Sequence, residues 1–360
     1  MTQKAPKPRA RLERAKTVES LIRENNGPFI VAEVSGNHNG DLQRALRIVD
    51  AIAETGANAV KFQTYTADTI TIDSDQPRFK ISDDHPLWGG RNLHALYTEA
   101  HTPWEWHQVL FDRAREHGLV PFSSPFDRGA VDLLESLDAP IYKIASLEIG
   151  DVDLLRAVAR TGKTVILSNG AASLSDLDLA VRTIRGEGNN DIVILCCTSS
   201  YPADPSESNL RGIPVLADMF GVRAGLSDHT MGIGAAIAAV ALGACVIEKH
   251  VTLDRSAGGV DADFSLEPQE LKQLVLESRR AWESLGSPTF VPTDSEAESL
   301  KLRRSLCVVK DVRKGDEVSG DNVRSIRPAG GLEPKFLDSV IGRKFNADVS
   351  RGTPLTWEVI

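Results

Sequence analysis

Two histidines, His229 and His250, end two short apolar runs, Gly225-Leu-Ser-Asp-His-Thr230 and Val246-Ile-Glu-Lys-His-Val-Thr252. Strand residues alternate faces, so Ser227 with His229, and Glu248 with His250, project to the same side. If the runs are parallel neighbours in a barrel, both imidazoles reach its mouth. There they can hold a divalent cation and leave positions open for water and substrate. The competing reading is a pair of hydrogen-bonded structural histidines. Lys61 and Lys143 lie inside two further apolar runs. A buried ammonium group is costly without an anionic partner, so two of them imply a compact, multiply charged anion. Phosphate fits Lys143 ringed by the hydroxyls of Ser146, Ser168 and Ser227. Spacing thus gives metal-assisted phosphate handling, and no particular reaction.

Such residues need strands to aim them. From Phe29 onward, short apolar runs alternate with amphipathic helical stretches, the pattern of βα units around a parallel sheet. The strands are expected at Phe29 to Glu33, Ala59 to Gln63, Val120 to Ser123, Ile141 to Ala145, Thr164 to Ser168, Ile192 to Thr198, Ala224 to Asp228 and Cys245 to His250. Helical stretches between them, several ending at glycine, make this a (β/α)8 TIM barrel of α/β class, with function at the C-terminal strand ends. The segment from Tyr65 to Thr102 exceeds a normal connection, and loops of that length usually cover a site or an interface. Residues 1–28 read as an N-terminal extension, 29–286 as the barrel, 287–300 as a linker and 301–360 as a small β-rich domain.

A formal net charge of -9 over 360 residues argues against a nucleic-acid or anionic-membrane partner. No apolar run approaches the roughly 20 residues needed to span a bilayer. The four cysteines lack metal-type spacing and read as reduced core residues of a cytoplasmic protein.

The same residues carry a resemblance. Ala32-Glu-Val-Ser-Gly-Asn-His-Asn-Gly40, Val60-Lys-Phe-Gln-Thr64, Phe122-Ser-Ser-Pro-Phe126, Tyr142-Lys-Ile-Ala-Ser146, Leu226-Ser-Asp-His-Thr230 and Glu248-Lys-His250 resemble the N-acetylneuraminate (sialic acid) synthase family. Arg304-Ser-Leu and Ser325-Ile-Arg-Pro328 are similar to the antifreeze-like (SAF, β-clip) domain of those enzymes. Within the family, Asn37-His-Asn-Gly40, Pro86-Leu-Trp-Gly89, Ala100-His-Thr-Pro-Trp-Glu-Trp106 and Phe264-Ser-Leu-Glu-Pro268 look most like the branch that makes pseudaminic acid. Asn39 stands where sialic acid synthases tend to have glutamate, and Ser199 where they typically have asparagine. The legionaminic and N-acetylneuraminic branches are the alternatives.

The resemblance implies condensation of phosphoenolpyruvate with an amino-sugar aldehyde to a nine-carbon 2-keto acid. It implies Lys143, Ser123, Ser146, Ser168 and Ser227, with Lys61 and Gln63, around phosphoenolpyruvate. Asn37, Ser199, Tyr201 and Asp261 would serve the sugar. His229 and His250 would hold a divalent metal, manganese in first place with magnesium or cobalt as alternatives. Glu33, or water on the metal, would be the stabiliser or base. Arg327 would reach the barrel of a partner in a domain-swapped homodimer. Two other readings stay open at this level: a non-catalytic carbohydrate-binding protein built on the tail, and a metal-dependent aldolase that uses pyruvate.

Overall fold

Eight β-branched and aliphatic runs, too short and too apolar to stand alone, close into a parallel barrel in chain order, β1 pairing with β8. The computed structural model describes residue 20, residues 27–84 and residues 87–360. The expected N-terminal extension falls almost wholly outside the described residues, as does Pro86. The strands are β1 Phe29–Glu33, β2 Ala59–Thr64, β3 Val120–Pro125, β4 Ile141–Ile144, β5 Thr164–Ser168, β6 Ile192–Cys197, β7 Arg223–Asp228 and β8 Val246–His250.

Strand alternation sorts the side chains into two layers. Phe29, Val31, Ala59, Phe122, Ile141, Ile166, Val193, Leu195 and Val246 fill the barrel interior. The opposite faces pack beneath the surrounding helices in a larger apolar cluster. Helix α1, Leu42–Thr55, shows the local logic. Asp41 accepts from the Gln43 amide at its start, Ala45, Ile48, Val49 and Ile52 form a buried stripe, and Gly56 ends it at φ 83°. Each fully buried aliphatic side chain there contributes roughly 1.5–3 kcal/mol.

The long segment Tyr65 to Thr102 after β2 is not a bare loop: among its described residues it holds two helices, Ala67–Ile70 and Leu93–Ala100, and a single-turn 3-10 helix at Pro77–Phe79, ahead of the barrel helix His107–Glu116. By internal packing the chain forms two compact units, one ending at Gly286 and one beginning at Ser287. The second opens with a 3-10 turn, Asp294–Glu296, and a short helix, Ala297–Lys301. Its antiparallel strands β9, Ser305–Val308, and β10, Val323–Ile326, belong to a core of its own, with Val318, Val340, Phe345 and Leu355. Among the described residues, no helix is long and apolar enough to cross a membrane.

Candidate active site

Register decides which side chains meet. Glu33 pairs with Lys61 on one side and His250 on the other, while Ser227 pairs with Glu248. Continuing the inward alternation beyond the apolar floor places Glu33, Lys61, Gln63, Ser124, Lys143, Ser168, Cys197, Ser227, His229, Glu248 and His250 around one cavity of about 540 Å³. On the outer side of the barrel, Lys249 donates to Asp228 at 2.8 Å and to the Thr230 carbonyl at 2.6 Å. That buried clamp ties the two histidine-bearing strand ends together.

The buried charges form one network. Lys61 lies 2.9 Å from Glu33 and 3.0 Å from Glu248. Lys143 lies 3.0 Å from the same Glu248 oxygen, Oε1, to which Ser227 donates at 2.9 Å. Gln63 donates to Glu33 at 2.8 Å, and His250 Nε2 is 3.3 Å from Glu33. The two lysines therefore find their anionic partners within the protein, where the sequence reading required a substrate anion. Two ammonium and two carboxylate groups balance, as such deep burial demands.

The network sets the ionisation of its members. Burial opposes charge on Glu33, yet Lys61, His250 and Lys143 outweigh it and hold the carboxyl far below the usual carboxylate range. Glu248 is likewise lowered, burial being outweighed by Lys143 and Lys61. Burial also opposes charge on Lys61, but Glu248 and Glu33 prevail and raise its pKa. For Lys143 burial wins and the pKa falls. Burial likewise pushes His250 down, so the imidazole is neutral at ordinary pH. His229 goes the other way, because Cys197 and the Thr198 carbonyl outweigh burial. The Cys197 thiol is lowered to about 7 against the effect of burial, chiefly by His229 and Ser146.

Whether the histidines suit a metal turns on their free nitrogens. His229 Nδ1 is spent on the Thr198 carbonyl at 2.9 Å. The buried Nδ1 of His250 has no hydrogen-bond partner and lies 3.7 Å from Asp261. The two rings stand 5.3 Å apart. Among the described residues, no group of three or more His, Cys, Asp or Glu is assembled to hold an ion. The donors available to a cation are therefore the two imidazoles, with Glu33 and Asp261 beside His250.

Several expected site residues land differently. Ser123 points out of the barrel, bonding Thr64 Oγ1 at 2.6 Å; Thr64 in turn meets His107 at 2.8 Å. Ser124 is the residue that lines the cavity. Alternation from Phe122 could have shown this, since the two residues share a face. Asn37 is fully buried and does not line the cavity; its amide donates to the Val251 carbonyl and to Ser265. It pins the β1 loop to the segment after β8. Ser199 is also absent from the lining and rests 3.9 Å from the Cys197 sulphur. Gly170 leaves room there, since a Cβ would strike Ser199, Ser146 and Cys197. Tyr201 and Asp261 do line the cavity, Asp261 accepting a short hydrogen bond from Ser35. Arg327 follows β10 in the C-terminal unit and is exposed.

Three cavity residues escaped the sequence reading as participants. In the sequence Glu248 shares a face with His250 but carries no assigned role, and Cys197 reads as core. Glu148, in the turn after β4, lines the cavity with a pKa pushed up to about 7 by burial.

Comparison with known proteins settles the kinship. The NeuB family model matches residues 48–289 and the SAF domain model residues 303–360. The chain belongs to the NeuB family. It is 42% identical over 327 residues to the pseudaminic acid synthase of Campylobacter jejuni serotype O:2, covering 91% of this chain and 95% of that protein. To the N,N'-diacetyllegionaminic acid synthase of Legionella pneumophila it is 37% identical over 337 residues, covering 92% and 94%. The crystal structure of the spore coat polysaccharide biosynthesis protein spsE of Bacillus subtilis superposes with a TM-score of 0.62 at 36% identity, covering 93% of this chain and 95% of that one.

Proposed function

We propose that this NeuB-family chain is a pseudaminic acid synthase. It condenses phosphoenolpyruvate with the open-chain aldehyde of 2,4-diacetamido-2,4,6-trideoxy-L-altrose and water, giving pseudaminic acid and phosphate. The observation that carries this reading is 42% identity to a pseudaminic acid synthase across 91% of the chain, against 37% to a diacetyllegionaminic acid synthase. Legionaminic synthesis is the second reading, on the strength of the latter.

The chemistry follows from the cavity. Ser168 has a buried hydroxyl with no partner, an orphan donor of the kind a phosphate oxygen satisfies. Beside it, Lys143, Ser146 and Ser124 complete the phosphoenolpyruvate end. Gln63 belongs to that end as well, while Tyr201 and Asp261 orient the aldehyde. A divalent cation at His229 and His250, manganese by preference, would polarise the aldehyde oxygen. The enol carbon C3 bonds to the aldehyde carbon, leaving cationic character at C2. Water adds at C2, and cleavage of the C2–O bond then releases phosphate. Glu33, held ionised by the Lys61 ion pair, keeps a negative charge that stabilises the cationic carbon. Glu148, ionising near neutrality, accepts the proton from the attacking water.

We place the reaction in the cytoplasm, in keeping with four free cysteines, and assign Arg327 to the sugar end of a second subunit's barrel. The test is phosphate release. It should require both phosphoenolpyruvate and the amino-sugar acceptor, vanish in chelator and return with Mn2+, and no keto-acid product should form when pyruvate replaces phosphoenolpyruvate. Turnover of pyruvate, or full activity in chelator, would sink the corresponding assignment.

A further inference from the structure

The cavity changes character along its length. Its inner end carries Lys61, Lys143, Glu33, Glu248 and the two histidines, whereas much of its outer wall comes from the connection between β2 and β3. Leu93, Leu96, Tyr97 and Ala100 all line it. They stand at i, i+3, i+4 and i+7 of the Leu93–Ala100 helix, so the apolar stripe of that helix faces the cavity. Ile70 and Ile81, from the same connection, extend the wall.

The wall is held in place. Asn92 caps the helix by accepting from the His94 and Ala95 amides, and its own amide donates to the Ser74 carbonyl at 2.9 Å. His94 lies 2.9 Å from Asp68 on the neighbouring helix. Tyr97 packs edge-on against Tyr65, ring centroids 5.8 Å apart. An apolar helix face presented to a cavity whose other end is charged matches a ligand with one polar and one apolar end.

We infer that Ile70, Ile81 and Leu93, with the rest of this helix face, receive the C6 methyl end of the acceptor and select 6-deoxy over 6-hydroxy sugars. The inference rests on the proposed condensation, which places the reacting aldehyde carbon C1 at the charged end. In an open-chain hexose C6 is the carbon farthest from it along the chain. A C6 hydroxyl packed against Ile70, Ile81 and Leu93 would surrender its hydrogen bonds to water and gain none from those three side chains.

The experiment compares kcat/KM for two acceptors that differ only at C6, with wild type and with the double variant Ile81→Thr, Leu93→Ser. Wild type should favour the 6-deoxy acceptor by about tenfold or more, the scale on which an apolar pocket rejects an added hydroxyl. The double variant should lose most of that preference while the KM for phosphoenolpyruvate holds. Equal use of both acceptors by wild type, or an active variant that keeps the full preference, overturns the inference. Should the double variant fail to fold, the wild-type ratio and the single Ile81→Thr variant still decide. If wild type releases no phosphate from phosphoenolpyruvate with either acceptor, the condensation reading itself falls, a result distinct from equal use of the two.

Discussion

At the scale of single residues, the balance between burial and charge assigns the roles. Glu33 and Glu248 are both buried carboxylates, but each pairs with lysine and stays ionised, whereas Glu148 has no such ion pair among the described residues and burial pushes it up to about 7. A base acts only when ionised, so kcat should rise with pH through about 7 and level off above it. Glu148→Gln should remove that rise and lower kcat by roughly 10²-fold or more. Cys197 ionises in the same range, so pH–rate profiles of Glu148→Gln and Cys197→Ser must be compared. A rise that persists in an active Glu148→Gln enzyme would contradict the assignment. The sequence showed the lysines and histidines because charged residues inside apolar runs stand out. It hid Glu148, whose type is ordinary in a polar turn and whose pKa is set chiefly by burial in the folded cavity. It hid Cys197 as well, because a cysteine ending an apolar strand reads as core.

At the scale of elements, strand alternation carries more of the site than any motif does. β1 and β5 occupy the spans that the apolar pattern predicts. β3 runs on to Pro125, past its expected end at Ser123, and its alternation puts Ser124 in the cavity lining in place of the Ser123 that the resemblance implies. The two serines offer a direct test. Ser124→Ala should raise the KM for phosphoenolpyruvate and leave stability nearly unchanged. Ser123→Ala breaks the buried link to Thr64, so it should lower unfolding free energy by roughly 1–3 kcal/mol with little effect on that KM. Denaturant melts and steady-state kinetics on both variants would show it, and the reverse pattern would mean the strand faces are misread. The helix Leu93–Ala100 was hidden for a related reason. Its apolar stripe serves the cavity within a long connection, where a loop was the simpler expectation, although Asn92 and the i, i+3, i+4 spacing were there to be read.

At the scale of the whole molecule, the barrel and the SAF tail were both legible, because their hydrophobic periods differ. The union of the two is the proposed part. If Arg327 serves a second subunit, mixing Arg327→Ala with Lys143→Ala under conditions of subunit exchange should restore activity. A random mixture then approaches about a quarter of the wild-type level, since about half the dimers are mixed and each has one intact site. No recovery after proven exchange would exclude the swapped arrangement. The central claim, however, is the reaction. The most direct measurement offers phosphoenolpyruvate with an equimolar mixture of the altrose-, mannose- and glucose-configured acceptors, separates the products by chromatography, and identifies them by mass spectrometry and NMR. A nine-carbon keto acid formed predominantly from the altrose-configured acceptor, with one phosphate released per product, is the predicted result. Predominant use of either other acceptor, or no phosphoenolpyruvate-dependent product at all, would contradict it.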